Sequence, residues 1–444
     1  MKKLRVHFIA VGGAAMHNIA LDMHVQGNEV TGSDDEIYEP SLSRLKLAGI
    51  APKQFGWFES NITSDIDIIV LGMHAREDNP ELVKARELGL QIMSYPAFVY
   101  ERSKDKQRIV IAGSHGKTTT TAMVLHVLKK LDVSFDYLVG AQLKGFDRMV
   151  KLTDAPLIII EGDEYLSSPL DRVPKIHHYK PHITVTTGIA WDHINVFPTF
   201  ENYKDQFSLY FDMIEEDGTL IYYKDDEVLK DLVDKSNRRV VKLPYGGLEK
   251  NDEMSIVFED EIYPVSIIGN HNLQNLNAAR LVCLTLGINT RRFFKAIADF
   301  SGASKRLQKL NNSKGRLVFL DFAHAPSKVK ATTTSLKDWF GNKKLLAILE
   351  LHTFSSLNKE FLPQYIDTLT AADRAIVFYN KHTLEMKQMP DLDPAFIKES
   401  FGYPDLEIMT DSVALHELIK GDAYNDYNIL LMTSGNFNKM SLDF

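Results

Sequence analysis

Residues Ile109 to Thr121 read Ile-Val-Ile-Ala-Gly-Ser-His-Gly-Lys-Thr-Thr-Thr-Thr, and no other run narrows the possible architectures as much. The four apolar residues before Gly113 suit a buried parallel strand, and apolar residues recur at helical spacing from Ala122 to Leu131. A strand, a glycine turn and a helix in that order form a βα unit, which predicts a parallel sheet with helices packed against it. The turn is also chemically specific. Unpaired N–H groups at a helix N-terminus favour anions, Lys117 adds a mobile positive charge, and the Thr118 hydroxyl is suited to Mg²⁺. A full P-loop would carry glycine where Ile111 stands, so the pattern is the shorter Gly-x-x-Gly-Lys-Thr form. Gly113, Ser114, His115, Gly116, Lys117, Thr118 and Thr119 are the expected phosphate contacts, with ATP and Mg²⁺ as occupants.

A chain of 444 residues exceeds one ordinary core. At roughly 100–200 residues per domain it holds two to four, and the order of elements favours three. No apolar run is long enough to cross a bilayer, and the basic N-terminus leads directly into a short strand without a cleavage site, so a cytoplasmic protein without a membrane partner is expected. The formal net charge of −8 argues against a nucleic-acid partner. Cys283 is the only cysteine and lies in an apolar helical stretch, which points to packing instead of thiol chemistry.

Strands are expected at Leu4 to Val11, Glu29 to Gly32 and Asp67 to Leu71, alternating with helices at Ala14 to Val25, Ser41 to Leu47 and Pro80 to Leu88. These form a first α/β domain, 1–106, ending in the charged stretch Glu101 to Arg108. Its Gly12-Gly13 turn carries only part of a dinucleotide fingerprint but admits a diphosphate, and Ser33-Asp34 ends the second strand where an acidic residue can bond a ribose or base. A second domain, 107–300, contains strands at Pro156 to Ile160 and Ile183 to Thr187 and a stretch of hairpin character from Gly218 to Pro264. A third, 301–444, restarts the alternation with strands at Arg316 to Leu320, Leu345 to Leu349, Arg374 to Phe378 and Asn428 to Met432.

Further motifs follow the phosphate turn. Glu161-Gly-Asp-Glu-Tyr165 places carboxylates at the carboxyl edge of a parallel sheet, and Glu161 with Thr118 gives Mg²⁺ two oxygen ligands. Trp191-Asp192-His193 follows the next strand and offers His193 as a metal or substrate contact. Gly269 to Asn275 precedes a helix, with His271, Asn272 and Asn275 able to read an adenine edge, or with Asn270 or Asn272 as a cap. Lys305-Arg306 and Asp321-Phe-Ala-His324 open the third domain: Arg306 would stabilise phosphate charge in the transition state and Asp321 would hold ribose.

In this order the six motifs resemble the Mur ligase family across essentially the whole chain. The resemblance implies a three-domain α/β architecture: a Rossmann-like N-terminal domain for the UDP-sugar, a central P-loop ATPase-like domain, and a C-terminal Rossmann-like domain for the incoming amine. It implies ATP-dependent amide synthesis through an acyl phosphate, with Lys117, His193 and Arg306 as catalytic residues and His324 among the ATP contacts. Thr118, Glu161 and His193 would hold metal, a second Mg²⁺ lying near His193, and the domains would close before reaction. His7 to Gly13, Thr31 to Asp34 and Asp78 to Glu81 are similar to the branch that accepts UDP-N-acetylmuramate, implying sugar-nucleotide contacts at Gly12, Gly13, Ser33, Asp34, His74 and Asn79. Within that branch, Tyr38-Glu-Pro40, Asp163-Glu-Tyr165 and Asp171 to Pro181 favour the peptidoglycan-recycling member, whose amine is L-alanyl-γ-D-glutamyl-meso-diaminopimelate; His352 and Phe354 favour the member that adds L-alanine. Ala10 and Ala15 replace common glycines, Gly188 and Asn195 replace a common asparagine and aspartate, and Phe207 stands where other branches carry a carbamoylated lysine. A ligase of the folylpolyglutamate type and a non-catalytic nucleotide-binding regulator are the competing readings.

Overall fold

The computed structural model describes residues 3–73, 75–191, 196–251, 255–265, 267–300, 302, 306–310 and 315–444. They form two compact units, Met1–Gly246 with Leu276–Ile297, and Gly247–Asn275 with Ala298–Phe444.

The first unit holds two sheets. Strands β1 (Arg5–Ile9), β2 (Glu29–Ser33), β3 (Ile68–Leu71) and β4 (Gln91–Ser94) pair in parallel in the order β2-β1-β3-β4. The fourth strand carries no alternation strong enough to announce itself in the sequence. Ile9, Ile69 and Leu71 bury one face against Leu82 and Ala85 of the helix Pro80–Glu87, which Asn79 caps by accepting from the Glu81 and Leu82 N–H groups at 3.0 and 3.2 Å. The second sheet contains β5 (Gln107–Ala112), β6 (Asp136–Leu138), β7 (Val150–Lys151), β8 (Leu157–Glu161), β9 (Ile183–Thr186), β10 (Thr219–Tyr223) and β11 (Val241–Tyr245). Its order is β11-β10-β9-β5-β8-β6-β7, and only β7 runs antiparallel.

That order corrects one expectation. The stretch from Gly218 to Pro264 is mostly not a hairpin: β10 and β11 are parallel and joined by the helix Glu227–Lys235, whose Leu229 and Val233 are buried. Only β12 (Glu249–Lys250), β13 (Ile256–Phe258) and β14 (Glu261–Tyr263) form an antiparallel meander, and they belong to the second unit. Charged residues around short apolar runs mimic hairpin alternation, and tertiary pairing decides the outcome.

The second unit is built on β15 (Gln308–Leu310), β16 (Val318–Asp321), β17 (Lys344–Leu351), β18 (Arg374–Tyr379), β19 (Glu407–Met409) and β20 (Tyr427–Met432), in the order β15-β16-β20-β17-β18-β19 with β15 antiparallel. Along β17, Leu345, Ala347 and Leu349 enter one apolar cluster while Leu346 and Ile348 enter the opposite one. Both faces are covered, which explains why this strand reads as a continuous apolar run. Among the described residues no helix is long and apolar enough to cross a membrane.

Candidate active site

The strand order in the second sheet explains why three separate motifs meet. β5 lies between β9 and β8, so the turn after β5 is flanked by Glu161-Gly-Asp-Glu164 on one side and by Thr187 to Trp191 on the other, all at the carboxyl edge where open α/β sheets bind ligands. Gly116 caps the helix Lys117–Lys130 with φ of 79°, and Gly113 has φ of 111°. A Cβ on Gly113 would lie 2.5 Å from Thr187 Oγ1, so that turn excludes any side chain. Ser114 N donates to Gly188 O at 2.9 Å and its Oγ donates to Ala190 O at 2.8 Å. The His115 carbonyl accepts from the Thr187 hydroxyl.

Thr118 Oγ1 donates to Glu161 Oε1 at 2.6 Å, and Gly140 N donates to Glu161 Oε2 at 2.7 Å. Adjacent ligands in an octahedral Mg²⁺ shell stand about 3 Å apart. The hydroxyl and carboxylate oxygens are therefore near the spacing of two neighbouring Mg²⁺ ligands, and the hard oxygen donor set suits that ion. Among the described residues no group of three or more His, Cys, Asp or Glu is arranged to hold a metal, so such an ion would draw its other ligands from water and phosphate. Lys117 Nζ donates to Gly113 O at 2.6 Å and to Glu164 Oε2 at 2.8 Å. Burial alone would push this ammonium's pKa down, but Glu164, Asp163 and Glu161 outweigh it and hold it above the ordinary lysine value.

At the carboxyl edge of the first sheet, Gly12 N donates to Asp34 Oδ2 at 2.7 Å, and Asp34 Oδ1 accepts from Asp35 N at 3.0 Å. Asp34, expected to meet a ribose or base, thus organises the Gly12-Gly13 turn itself. Ala10 has φ of 67°, so an alanine occupies a left-handed position that ordinarily favours glycine. Ser33 donates to the fully buried Glu81, which also accepts from Phe58 N at 3.0 Å and Asn61 Nδ2 at 2.7 Å and lies 3.3 Å from His7 Nε2. Nothing in the sequence marks Glu81 for this role, since a carboxylate in the first turn of a helix is ordinarily exposed.

The second unit gathers another group of expected residues. The helix Asn270–Thr285 begins at Asn270, so Asn272 and Asn275 lie within it and Asn272 does not cap it: Asn272 Nδ2 donates back to Ile268 O at 2.8 Å, and Asn275 Nδ2 donates to Asn272 Oδ1 at 3.2 Å. Asp321 Oδ2 accepts from Leu307 N at 2.7 Å and Oδ1 from Ala323 N at 2.9 Å, so this carboxylate holds two loops as well as facing His271. Burial lowers the His271 pKa and Asp321 offsets only part of that. Arg306 stacks 4.6 Å from the Phe322 ring centroid, and His324 Nδ1 donates to Phe322 O at 2.8 Å. The expected ATP contacts therefore fall into two groups, one in each unit. His193, His74, Asp192, Asn195 and Lys305 lie outside the described residues.

Phe207 is buried on the helix Phe200–Asp212, its ring 5.4 Å from Tyr203, and Cys283 is buried with its thiol pushed up to about 12 by burial. The first leaves no lysine at that position, and the second keeps the thiol protonated and unreactive.

Residues 5–107 match the profile described as Mur ligase family, catalytic domain, and residues 111–283 match the Mur ligase middle domain. The UDP-N-acetylmuramate–L-alanine ligase of Caldicellulosiruptor bescii is 32% identical over 83% of this chain and 82% of its own length. The enzyme of the same name from Carboxydothermus hydrogenoformans is 27% identical over 99% of this chain and 96% of its own. Among solved structures, UDP-N-acetylmuramate-alanine ligase from Thermotoga maritima superposes with a TM-score of 0.70 at 20% identity, over 98% of this chain and 97% of that one. A murein peptide ligase from Psychrobacter arcticus superposes with a TM-score of 0.67 at 22% identity and the same coverage. These structures show a shared fold, including the three-domain α/β architecture, and the sequence relatives settle membership: the chain belongs to the Mur ligase family of ATP-dependent ligases.

Proposed function

We propose that this chain joins the lactyl carboxylate of UDP-N-acetylmuramate to an amine, and that the amine is L-alanine. The observation that carries the reaction is the turn at Gly113 to Thr118, with Lys117 and the Thr118–Glu161 oxygen pair on one sheet edge. The choice of amine is supported by relatives 30–32% identical, all named UDP-N-acetylmuramate–L-alanine ligases. A carboxylate oxygen attacks the γ-phosphorus of ATP and ADP leaves; the amine nitrogen then attacks the acyl carbon, phosphate leaves, and the nitrogen loses its proton. Bringing a carboxylate to a triphosphate costs on the order of 4 kcal/mol per close charge pair at an effective dielectric near 20. Lys117 supplies positive charge against this cost, and Mg²⁺ on Thr118 and Glu161 would neutralise phosphate oxygens. Gly12, Gly13, Ser33, Asp34, His74 and Asn79 remain the proposed sugar-nucleotide side, with 1–106, 107–300 and 301–444 as the functional domains.

The tripeptide L-alanyl-γ-D-glutamyl-meso-diaminopimelate, preferred on sequence motifs, is the second reading. Tyr38-Glu-Pro40 and the Asp163-Glu-Tyr165 run support it, and Lys175 pairs with Asp163 over the Tyr165 ring at 5.5 Å. Phosphate release measured with UDP-N-acetylmuramate, ATP and each amine separately decides between them. Faster release with L-alanine is expected; faster release with the tripeptide reverses the assignment, and release with neither rejects the reaction.

A further inference from the structure

Lys117 stands in the phosphate turn, yet two of its bonds go to protein. Nζ donates to Gly113 O at 2.6 Å and to Glu164 Oε2 at 2.8 Å. Glu164 is 1% exposed and is itself fixed: Oε1 accepts from the Tyr203 hydroxyl at 3.0 Å. That hydroxyl also lies 3.0 Å from Ser114 Oγ, which bonds both the N–H and the carbonyl of Ala190 at 2.8 Å. Tyr203 is buried on the helix Phe200–Asp212, between the rings of Phe197 at 5.6 Å and Phe207 at 5.4 Å. The carboxylate that holds the lysine is therefore anchored from an element outside the turn.

An ammonium has three N–H donors in tetrahedral arrangement. With two directed at Gly113 O and Glu164 Oε2, the direction of the third follows. We propose that Glu164 is a positioning residue, holding Lys117 so that its remaining N–H meets the charge developing on the transferred phosphoryl group instead of following the triphosphate in the ground state. This rests on the phosphate role proposed for Lys117. The argument is one of differential binding: a lysine free to settle on ground-state phosphates tightens nucleotide binding without lowering the barrier, whereas a lysine held in place favours the transition state. A carboxylate that merely kept the turn folded would act differently, since its loss would weaken binding and turnover together.

The test uses the full-length chain as wild type, E164Q, Y203F and K117A, with calorimetric titration of Mg·ADP and steady-state phosphate release. For E164Q, kcat is expected to fall at least about tenfold while the KM for ATP and the Kd for ADP stay within about twofold or decrease. Y203F, which keeps the carboxylate but removes its anchor, should shift the same way by a smaller factor. An E164Q kcat equal to wild type, or kcat and ADP affinity worsening in step, overturns the proposal. If E164Q does not fold, Y203F decides: an unchanged kcat, or a loss of ADP affinity matching the loss of kcat, overturns it. Normal turnover by K117A defeats the phosphate reading itself, and the positioning role with it. An inactive K117A beside a wild-type-like E164Q defeats only the positioning role.

Discussion

The first unit contains two glycine turns that follow a parallel strand and open a helix, at Gly12-Gly13 and at Gly113 to Gly116, and they do opposite things with the same topology. In the first, Gly13 precedes the helix Ala14–Val25 with φ of −57°, and the Gly12 N–H is taken by Asp34 at 2.7 Å. A carboxylate from the neighbouring strand occupies a donor that a phosphate would otherwise seek. In the second, Gly116 is left-handed, a lysine and a threonine fill the first helical positions, and the nearby carboxylate Glu164 binds the lysine instead of a backbone N–H of the turn. A βα turn is generic; the side chains in its first helical residues and the carboxylate beside it decide which anion it suits.

The sharpest way to break this contrast is Lys117→Ala. It should cut phosphate release roughly a thousandfold, as removal of a cation facing transferred charge does, while UDP-sugar binding by calorimetry stays near wild type. Equal loss of both would mean that the two turns are not functionally separate. A smaller effect is expected at the other turn. A Cβ on Gly12 would lie 2.9 Å from Asp34 Oδ2 and 3.1 Å from Ile37 Cγ1, so Gly12→Ala should displace the carboxylate and raise the KM for the UDP-sugar about tenfold, the equivalent of 1–2 kcal/mol of local overpacking, with little change in the KM for ATP. An unchanged sugar KM removes this turn from the site.

The smallest effect concerns stability. Burial raises the Glu81 pKa, but bonds from His7, Ser33, Phe58 N and Asn61 outweigh it and hold it below its ordinary value of 4.5. A carboxyl with a depressed folded pKa contributes stability that is fully present above 4.5 and is lost as pH falls through the folded value. Glu81→Gln should therefore lower stability at neutral pH by on the order of 2 kcal/mol and flatten the acid limb of a denaturation midpoint against pH. An acid limb identical to wild type would show that Glu81 is not the group that titrates.

Much of the fold was legible because periodicity and turn chemistry agree locally. The helices at Ala14–Val25 and Ser41–Leu47 match the expected limits, and the strand after Arg374 differs only at its last residue. Where local and tertiary preferences part, periodicity misleads. Val241 to Tyr245 falls in the stretch expected to be a hairpin but pairs in parallel with β10, the intervening helix burying Leu229 and Val233. The site shows the same division. Lys117, Thr118 and Glu161 stand in motifs whose residue types suggest phosphate and Mg²⁺ chemistry, and the pairing of β5 with β8 brings Thr118 to Glu161. Tyr203 gave no signal, since a tyrosine in an amphipathic helix is usually core, and only the packing brings its hydroxyl to Glu164.

Sequence alone determined the glycine turn after β5, the parallel α/β architecture and the family, because turn glycines, a lysine at a helix start and ordered motifs are local or linear properties. Only tertiary structure decided that Asp34 and Asp321 brace backbone N–H groups and that Glu81 and Glu164 are buried hubs. The reason is physical: what a carboxylate does depends on which donors lie within about 3 Å and how much water is excluded, and both are set by residues distant in the chain.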